Sequence, residues 1–321
     1  MQLKRFFLVF FLSVGFWPMQ EACVYPSGPA VVVSIAPFHG LVAEVMRGVG
    51  VPKLLVKPGA SPHQYSLKPS DIQKLYGAAV IFWGGPALET FLIKPLQNVS
   101  NSQQIFIVQF DKTPGLLLLP LRRNAAFEAH DHFCETHHGE RKEDTSAFTQ
   151  RDMHFWLDPY NAMILTESIV YHLSKSDPQH KSIYKKNGEM LKQRLHQLDL
   201  KIAAELKGIH SAPYVVFHDA YQYFEHRYKL SGVGAIMLHP EIPPSAQRLA
   251  AIRETVKNTR AQCVFLEPQF SPKLVQSMAQ DLHIKVGQLD PIGKGSKEDP
   301  YGYFDLLENL VHSLKQCLQE N

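Results

Sequence analysis

Short apolar runs alternate with helical stripes along most of this chain. Residues 30–35 form an apolar run ending in Ala36-Pro37-Phe38-His39, the pattern of a buried strand passing into a helix with proline in its first turn. Leu41, Val42, Val45 and Met46 then mark one helical face, stopped by Gly48 and Gly50. Residues 53–56 predict a second strand, followed by a proline-rich turn and a helix with Ser70 as N-cap and Ile72 and Leu75 inward. Residues 78–83 predict a third strand closed by Gly84-Gly85-Pro86, residues 88–96 a helix, and residues 105–109 a fourth strand. This alternation predicts a parallel sheet covered by helices.

Between residues 127 and 151 the periodicity disappears, and the stretch reads as a polar, histidine-rich surface loop. A helix follows over 160–173. A longer one starts at Asp177-Pro178 and runs to Lys207, with Leu191, Leu195, Leu198, Ile202 and Leu206 on one stripe and Gly188 as a weak spot. The second half repeats the first. Strands are expected at 214–217, 235–238, 263–266 and 284–289. Helices are expected at 222–228, after Ser245, after Ser271-Pro272, and at 303–318. The expected fold is therefore α/β, with two parallel-sheet lobes joined by a long rigid helix. Its boundaries are placed at 28–178 for the N-terminal lobe with its loop at 128–151, 179–208 for the connecting helix, and 209–321 for the C-terminal lobe.

The N-terminus changes where this body is expected to work. Lys4 and Arg5 precede an apolar stretch of about a dozen residues, shorter than the roughly 20 a membrane span needs, so residues 1–25 read as a signal peptide cleaved between Pro18 and Pro26. An uncleaved anchor is the alternative. No later run is apolar enough to span, so a soluble exported body is expected. A net charge of +3, with no basic stripe interleaved with aromatics, argues against nucleic acid. Export permits disulfides among Cys23, Cys134, Cys263 and Cys317. Cys263 opens a strand and Cys317 lies on the buried stripe of the last helix, so either they pair or both are buried thiols.

Sixteen histidines stand out in the composition. In parallel α/β sheets, ligand groups gather on loops beyond the carboxyl ends of strands. His63 follows the second strand in a turn stiffened by Pro58, Gly59 and Pro62. His218 and Asp290 each end a strand, and His154 stands where the long loop re-enters ordered structure beside Phe155 and Trp156. The three histidines lie 91 and 64 residues apart, so no local ligand motif exists. Taken singly, His63 reads equally as an exposed turn residue and His154 as a packed core residue. His39 is kept as a residue supporting a ligand, with a helix-start role as the alternative. Glu267 either orients a ligand ring or caps a helix. Asp158 and Asp219 are expected to cap the helices that follow them.

Taken together, these segments resemble a family. Pro58-Gly59-Ala60-Ser61-Pro62-His63-Gln64-Tyr65, His154-Phe155-Trp156-Leu157-Asp158-Pro159 and Phe217-His218-Asp219-Ala220-Tyr221 are similar to metal-binding segments of the ABC-transporter substrate-binding proteins for zinc and manganese. Glu267-Pro268-Gln269-Phe270 and Leu289-Asp290-Pro291-Ile292-Gly293 are similar to two more, and the resemblance runs from about Val31 to the C-terminus. It implies a metal in the cleft between the lobes, held by His63, His154, His218 and Asp290. It also implies a Cys263–Cys317 disulfide, a periplasmic location, an ABC-type membrane permease as partner, and capture without chemical turnover. A monomer is expected.

Zinc is the expected cargo, because manganese members tend to carry glutamate where this chain has His218, and three imidazoles with one carboxylate suit Zn²⁺. His130, His132, His137 and His138 stand where zinc members carry an auxiliary metal loop. Pro62 replaces an acidic residue of some relatives, leaving Asp290 or a water to complete the shell. The alternatives are a manganese or ferrous-iron binding protein of the same class, and a secreted zinc hydrolase with Glu267 as base.

Overall fold

In the first half, strands β1 (Val31–Val33), β2 (Lys53–Leu54), β3 (Val80–Trp83) and β4 (Phe106–Gln109) pair in parallel in the order β2-β1-β3-β4. In the second half, β5 (Tyr214–His218), β6 (Gly232–Met237), β7 (Cys263–Leu266) and β8 (Lys285–Gln288) repeat that topology as β6-β5-β7-β8. In each sheet the chain leaves its first strand to one side and returns on the other. A crevice therefore opens above β1/β3 and above β5/β7, where ligand sites form in this architecture. The computed structural model describes residues 28–102, 105–122, 126–127, 151–293 and 302–319. The expected signal peptide, Cys23, Cys134 and the loop histidines His130, His132, His137 and His138 lie outside the described residues.

The covering helices are α1 (Ala36–Val45), α2 (Pro69–Tyr76), α3 (Ile93–Ser102), α4 (Pro159–Ser176), α5 (Lys181–Leu206), α6 (Gln222–Tyr228), α7 (Ala246–Thr259), α8 (Lys273–Leu282) and α9 (Tyr303–Leu318). Three starts differ from the sequence reading: α5, expected from Asp177-Pro178, begins at Lys181 after a 3₁₀ turn over Pro178–His180, and the other two are α2 and α3. Helix α2 begins with Pro69 at its first position, and the Lys68 N–H donates to Asp71 Oδ2 at 3.1 Å, so Ser70 lies inside the first turn and Asp71 does the capping. Helix α3 begins at Ile93, because Glu89 Oε2 accepts the N–H groups of Gly84 and Gly85 at 2.8 and 3.0 Å and holds the chain in a turn there. A helix over 88–96 would also have put Pro95 in its interior, without the N–H that its ladder needs.

Helix α5 is about 39 Å long at 1.5 Å per residue, and its two ends are fastened to different lobes. Near its start, Asn187 Nδ2 donates to the carbonyls of Val45 and Arg47 at 3.0 and 2.8 Å, closing the end of α1. Further on, Asp199 accepts from Arg227 Nε at 2.9 Å and from Tyr228 Oη at 3.0 Å, both on α6. Gly188, a weak spot by propensity, is where α5 meets α4: a Cβ there would lie 2.4 Å from Val170 Cγ2. The buried residues of α1, α4, α5, α6 and α9 belong to one continuous apolar core that draws on both sheets. The far faces of the two sheets have their own smaller clusters.

A disulfide joins Cys263 on β7 to Cys317 on α9, closing a sequence separation of 54 residues. Cys317 Cβ is packed beside β8 at Gly287, where any added Cβ would press on the Phe265 ring and on Cys317. Among the described residues, no helix is long and apolar enough to cross a membrane.

Candidate metal centre

The Pro58–Tyr65 turn is held before any ligand arrives. Pro62 starts a short 3₁₀ turn over Pro62–Gln64, and Ser61 Oγ accepts the His63 N–H at 3.3 Å. Tyr65 Oη lies 3.1 Å from the Leu55 carbonyl and 3.0 Å from Asp71 Oδ2, fixing the turn to the end of β2 and the start of α2. Burial, reinforced by the Asp71 carboxylate, pushes the Tyr65 phenol up to about 12, so it remains a donor. Gln64 Nε2 reaches across to the Pro240 carbonyl at 3.2 Å, a bond between the lobes.

His154 is buried at the entry to a 3₁₀ turn over Phe155–Leu157. Phe155 stacks on Phe38 with ring centroids 5.6 Å apart. The Trp156 indole N–H donates to the Pro291 carbonyl at 2.7 Å. Asp158 Oδ1 accepts the Tyr160 N–H at 2.8 Å, so it caps α4 as expected. His218 is the last residue of β5, buried at the edge of the β5/β7 crevice.

These three rings meet. His154 Nε2 lies 3.4 Å from His63 Nε2 and 3.3 Å from His218 Nε2, and the three ligand atoms all fall within 4.8 Å of one another. A tetrahedral zinc with bonds of about 2.05 Å to nitrogen has a ligand–ligand edge of about 3.3 Å. Two edges of the histidine triangle already have that length. The space they face is about 10 Å³, room for about one water-sized body and not for an organic substrate. A far larger groove of about 920 Å³ runs between α4 and α5, but four lysines, Lys175, Lys181, Lys185 and Lys192, line it, and its two carboxylates, Glu167 and Glu189, are both paired with Lys192.

Two of the rings are oriented by carboxylates. Glu267 lies 2.7 Å from His218 Nδ1 through either oxygen, on the side of the ring away from Nε2. That is the orienting role weighed for Glu267; a carboxylate so placed does not face the ligand nitrogens as a hydrolytic base would. Asp152, which the sequence reading missed, does the same for His154: its Oδ1 accepts the ring Nδ1–H at 2.8 Å and the His154 N–H at 2.9 Å. With Nδ1 donating in both cases, each Nε2 presents its lone pair to the shared centre. Burial, and then the neighbouring His154, His218 and His239, hold the His63 imidazole well below the usual histidine range, which keeps it neutral.

The remaining candidates lie as follows. Asp290 is half-buried beyond β8, outside the three-histidine cluster; its Oδ1 accepts from Gln269 Nε2 at 2.7 Å and from the N–H groups of Ile292 and Gly293 at 3.2 and 3.0 Å. His39 lies buried in α1 with Nε2 2.9 Å from the Pro52 carbonyl. Asp219 does not cap α6, whose N-terminus has no side-chain cap; it pairs with Arg122 at 2.9 Å.

Comparisons with known proteins bear on this geometry. Residues 31–317 match the family profile described as zinc-uptake complex component A, periplasmic. The chain is 42% identical over 308 residues to the high-affinity zinc uptake system protein ZnuA of Brucella suis biovar 1 (strain 1330), covering 90% of this chain and 92% of that one. In fold it is similar to a crystal structure of ZnuA, with a TM-score of 0.75, 20% identity, and 91% of this chain and all (100%) of the other covered. The periplasmic zinc-binding protein TroA of Treponema pallidum is similar in fold at the same TM-score of 0.75, with 18% identity over 92% of this chain and 100% of its own.

Proposed function

Since this chain belongs to the periplasmic zinc-uptake complex component A family, we propose that it captures Zn²⁺ in the periplasm with high affinity and delivers it to an ABC-type permease for import. The observation that carries this reading is the pair of Nε2–Nε2 separations at 3.3 and 3.4 Å, the edge length of a tetrahedral zinc shell. The Nε2 lone pairs of His63, His154 and His218 replace three of the ion's waters, which are released to solvent. Because Asp152 and Glu267 already fix the tautomers of two rings, capture needs little reorganisation, and affinity follows from a prearranged shell.

Asp290 is proposed as the fourth ligand. In support, Oδ1 is held by Gln269 and two backbone N–H groups, while Oδ2 belongs to the same carboxylate and its neighbours Gln269, Pro291 and Ile292 line the space before the three rings. Imidazole-rich coordination favours Zn²⁺ over Mn²⁺, which prefers oxygen. His130, His132, His137 and His138 are proposed as a weaker auxiliary zinc site. Deleting 130–138 should lower the zinc bound per chain, and unchanged stoichiometry with unchanged uptake would end that part of the proposal.

The test of the main reading is metal competition on purified apo protein, beside His218→Ala. Zinc binding at one tight equivalent, with manganese failing to displace it and the variant losing orders of magnitude in affinity, is expected. Equal affinity for both ions, or an unaffected variant, would overturn it. Handover is proposed to occur by docking of the loaded protein on the permease. Transport assays with the permease in vesicles, in which free zinc served as well as loaded protein, would argue against it.

A further inference from the structure

After β4 the chain leaves the first sheet and crosses to the second lobe before it reaches His154. Leu117 is fixed on the near side by Asn161 of α4: its N–H donates to Asn161 Oδ1 at 3.0 Å, and its carbonyl accepts from Asn161 Nδ2 at 3.1 Å. Two residues on, the Leu119 N–H donates 2.8 Å to the hydroxyl of Tyr223 on α6, in the other lobe. That hydroxyl in turn donates to the Asp152 carbonyl at 2.7 Å. Phe127 and Ala126 then lie along the edge strand β6, with the Phe127 N–H donating to the Val233 carbonyl at 2.9 Å and Ala126 bridged antiparallel to Gly234.

Arg122 sits at the crossing. Its Nη1 lies 2.9 Å from Asp219 Oδ1 and 2.7 Å from Glu225 Oε2, and its guanidinium carbon stands 3.9 Å over the Phe127 ring. Asp219 and Glu225 are both buried, at 5% and 1% exposure. Two buried carboxylates facing one guanidinium form a costly arrangement that packing alone does not require. Its location gives it a use. Asp219 follows His218 directly, and the Leu119–Tyr223–Asp152 chain ends on the residue that holds the His154 ring. The backbone segments that carry ligands from opposite lobes are thus tied through one cation and one hydroxyl.

We propose that Arg122 is a positioning residue that keeps the His154 and His218 segments at zinc-binding separation, so that breaking its two ion pairs speeds zinc release while leaving the ligand set intact. The inference rests on the zinc reading above. It assigns to this crossing segment a share of the lobe-to-lobe restraint that α5 also supplies through Asn187 and Asp199.

The experiment follows zinc release from the loaded protein into excess chromophoric chelator, for wild type, Arg122→Met, Arg122→Lys and Tyr223→Phe. Each variant is checked for folding by circular dichroism and for ligand set by the absorption of its cobalt(II) form. Release from Arg122→Met is expected about tenfold faster, in line with loss of a group that supports metal ligands. Arg122→Lys should stay within about threefold of wild type, since both ion pairs come from one nitrogen that an ammonium can replace, and a lysine ammonium can still lie over the Phe127 ring. Tyr223→Phe keeps the volume, removes only the hydroxyl bridge, and should release zinc about fivefold faster. Tetrahedral cobalt spectra should be unchanged throughout. Folded Arg122→Met releasing at the wild-type rate overturns the proposal, as does Arg122→Lys releasing as fast as Arg122→Met. If Arg122→Met fails to fold, Tyr223→Phe decides alone, and a wild-type rate there overturns it. A wild-type protein that binds neither zinc nor cobalt sinks the zinc reading itself.

Discussion

One oxygen of Asp152 accepts both the backbone N–H and the ring Nδ1–H of His154, at 2.9 and 2.8 Å. The pair fixes the ring at two points, so the imidazole can neither rotate about its first torsion nor change tautomer without losing a bond. Asp152→Ala should weaken zinc binding by about 10- to 100-fold. Chelator competition would measure it, and the variant should keep its fold, because Tyr223 bonds to the Asp152 backbone and not to its carboxylate.

Protons compete with zinc for the same nitrogens, and His63 sets part of the pH range. Its imidazole is held well below its usual range by burial and by the histidines facing it. Protonation of His63 should therefore not drive zinc off as pH falls through about 6.5, and should contribute to its loss only further down. For the apo protein the sign is also fixed: the unfolded chain binds this proton first, so stability should fall as pH drops below about 6.5. Zinc titrations and thermal melts between pH 8 and 5 check both; a zinc affinity that collapses already above pH 6.5 would contradict the first.

Glu89 offers the opposite dependence. It is wholly buried, and burial raises its carboxyl to about 7 in spite of the Gly84 and Gly85 N–H groups that it accepts. Below the ordinary value of an unfolded glutamate the group is protonated in both states. Between that value and 7 only the folded protein holds the proton, so stability declines as pH rises across this window. Glu89→Gln retains an oxygen for the two N–H groups and cannot ionise. Its stability relative to wild type should improve by up to about 3 kcal/mol between pH 4 and pH 8, read from denaturant melts. A difference independent of pH would show that Glu89 does not titrate there.

The Cys263–Cys317 bond lies outside the three-histidine cluster, so its loss should separate stability from binding. Replacing both cysteines by serine should cost about 2–4 kcal/mol. The melting temperature would drop by several degrees, with zinc affinity within a few-fold of wild type.

Much of this was legible in the chain. Strand-end position pointed to His63 and His218, because a parallel sheet gathers ligand groups at the carboxyl ends of its strands; His154 was marked instead by the re-entry of the long loop beside Phe155 and Trp156, and by the family resemblance of that segment. Helices α6 and α9 lie where periodicity put them. What escaped was decided by side chains acting at a distance or backwards along the chain. Asp152 lies only two residues before His154, yet nothing in its neighbours says that the carboxylate folds back onto the ring; an acidic residue just ahead of a candidate ligand was the available signal. Asp219 has the form of a cap, but Arg122, 97 residues earlier, takes it. The apolar spacing over 88–96 suggested a helix, and the Glu89 carboxylate, by binding the backbone behind it, goes with a start displaced to Ile93. No periodicity in 116–122 hinted that this stretch crosses between lobes.

The first helix and the last share one buried mass, with α9 lying against α1 as well as against α5. The polypeptide's beginning is therefore unfinished until its end arrives. While residues 303–318 are still being made or moved across a membrane, the face of α1 that they cover stays bare. With one core drawing on both sheets, heating the finished protein should melt both lobes in one transition.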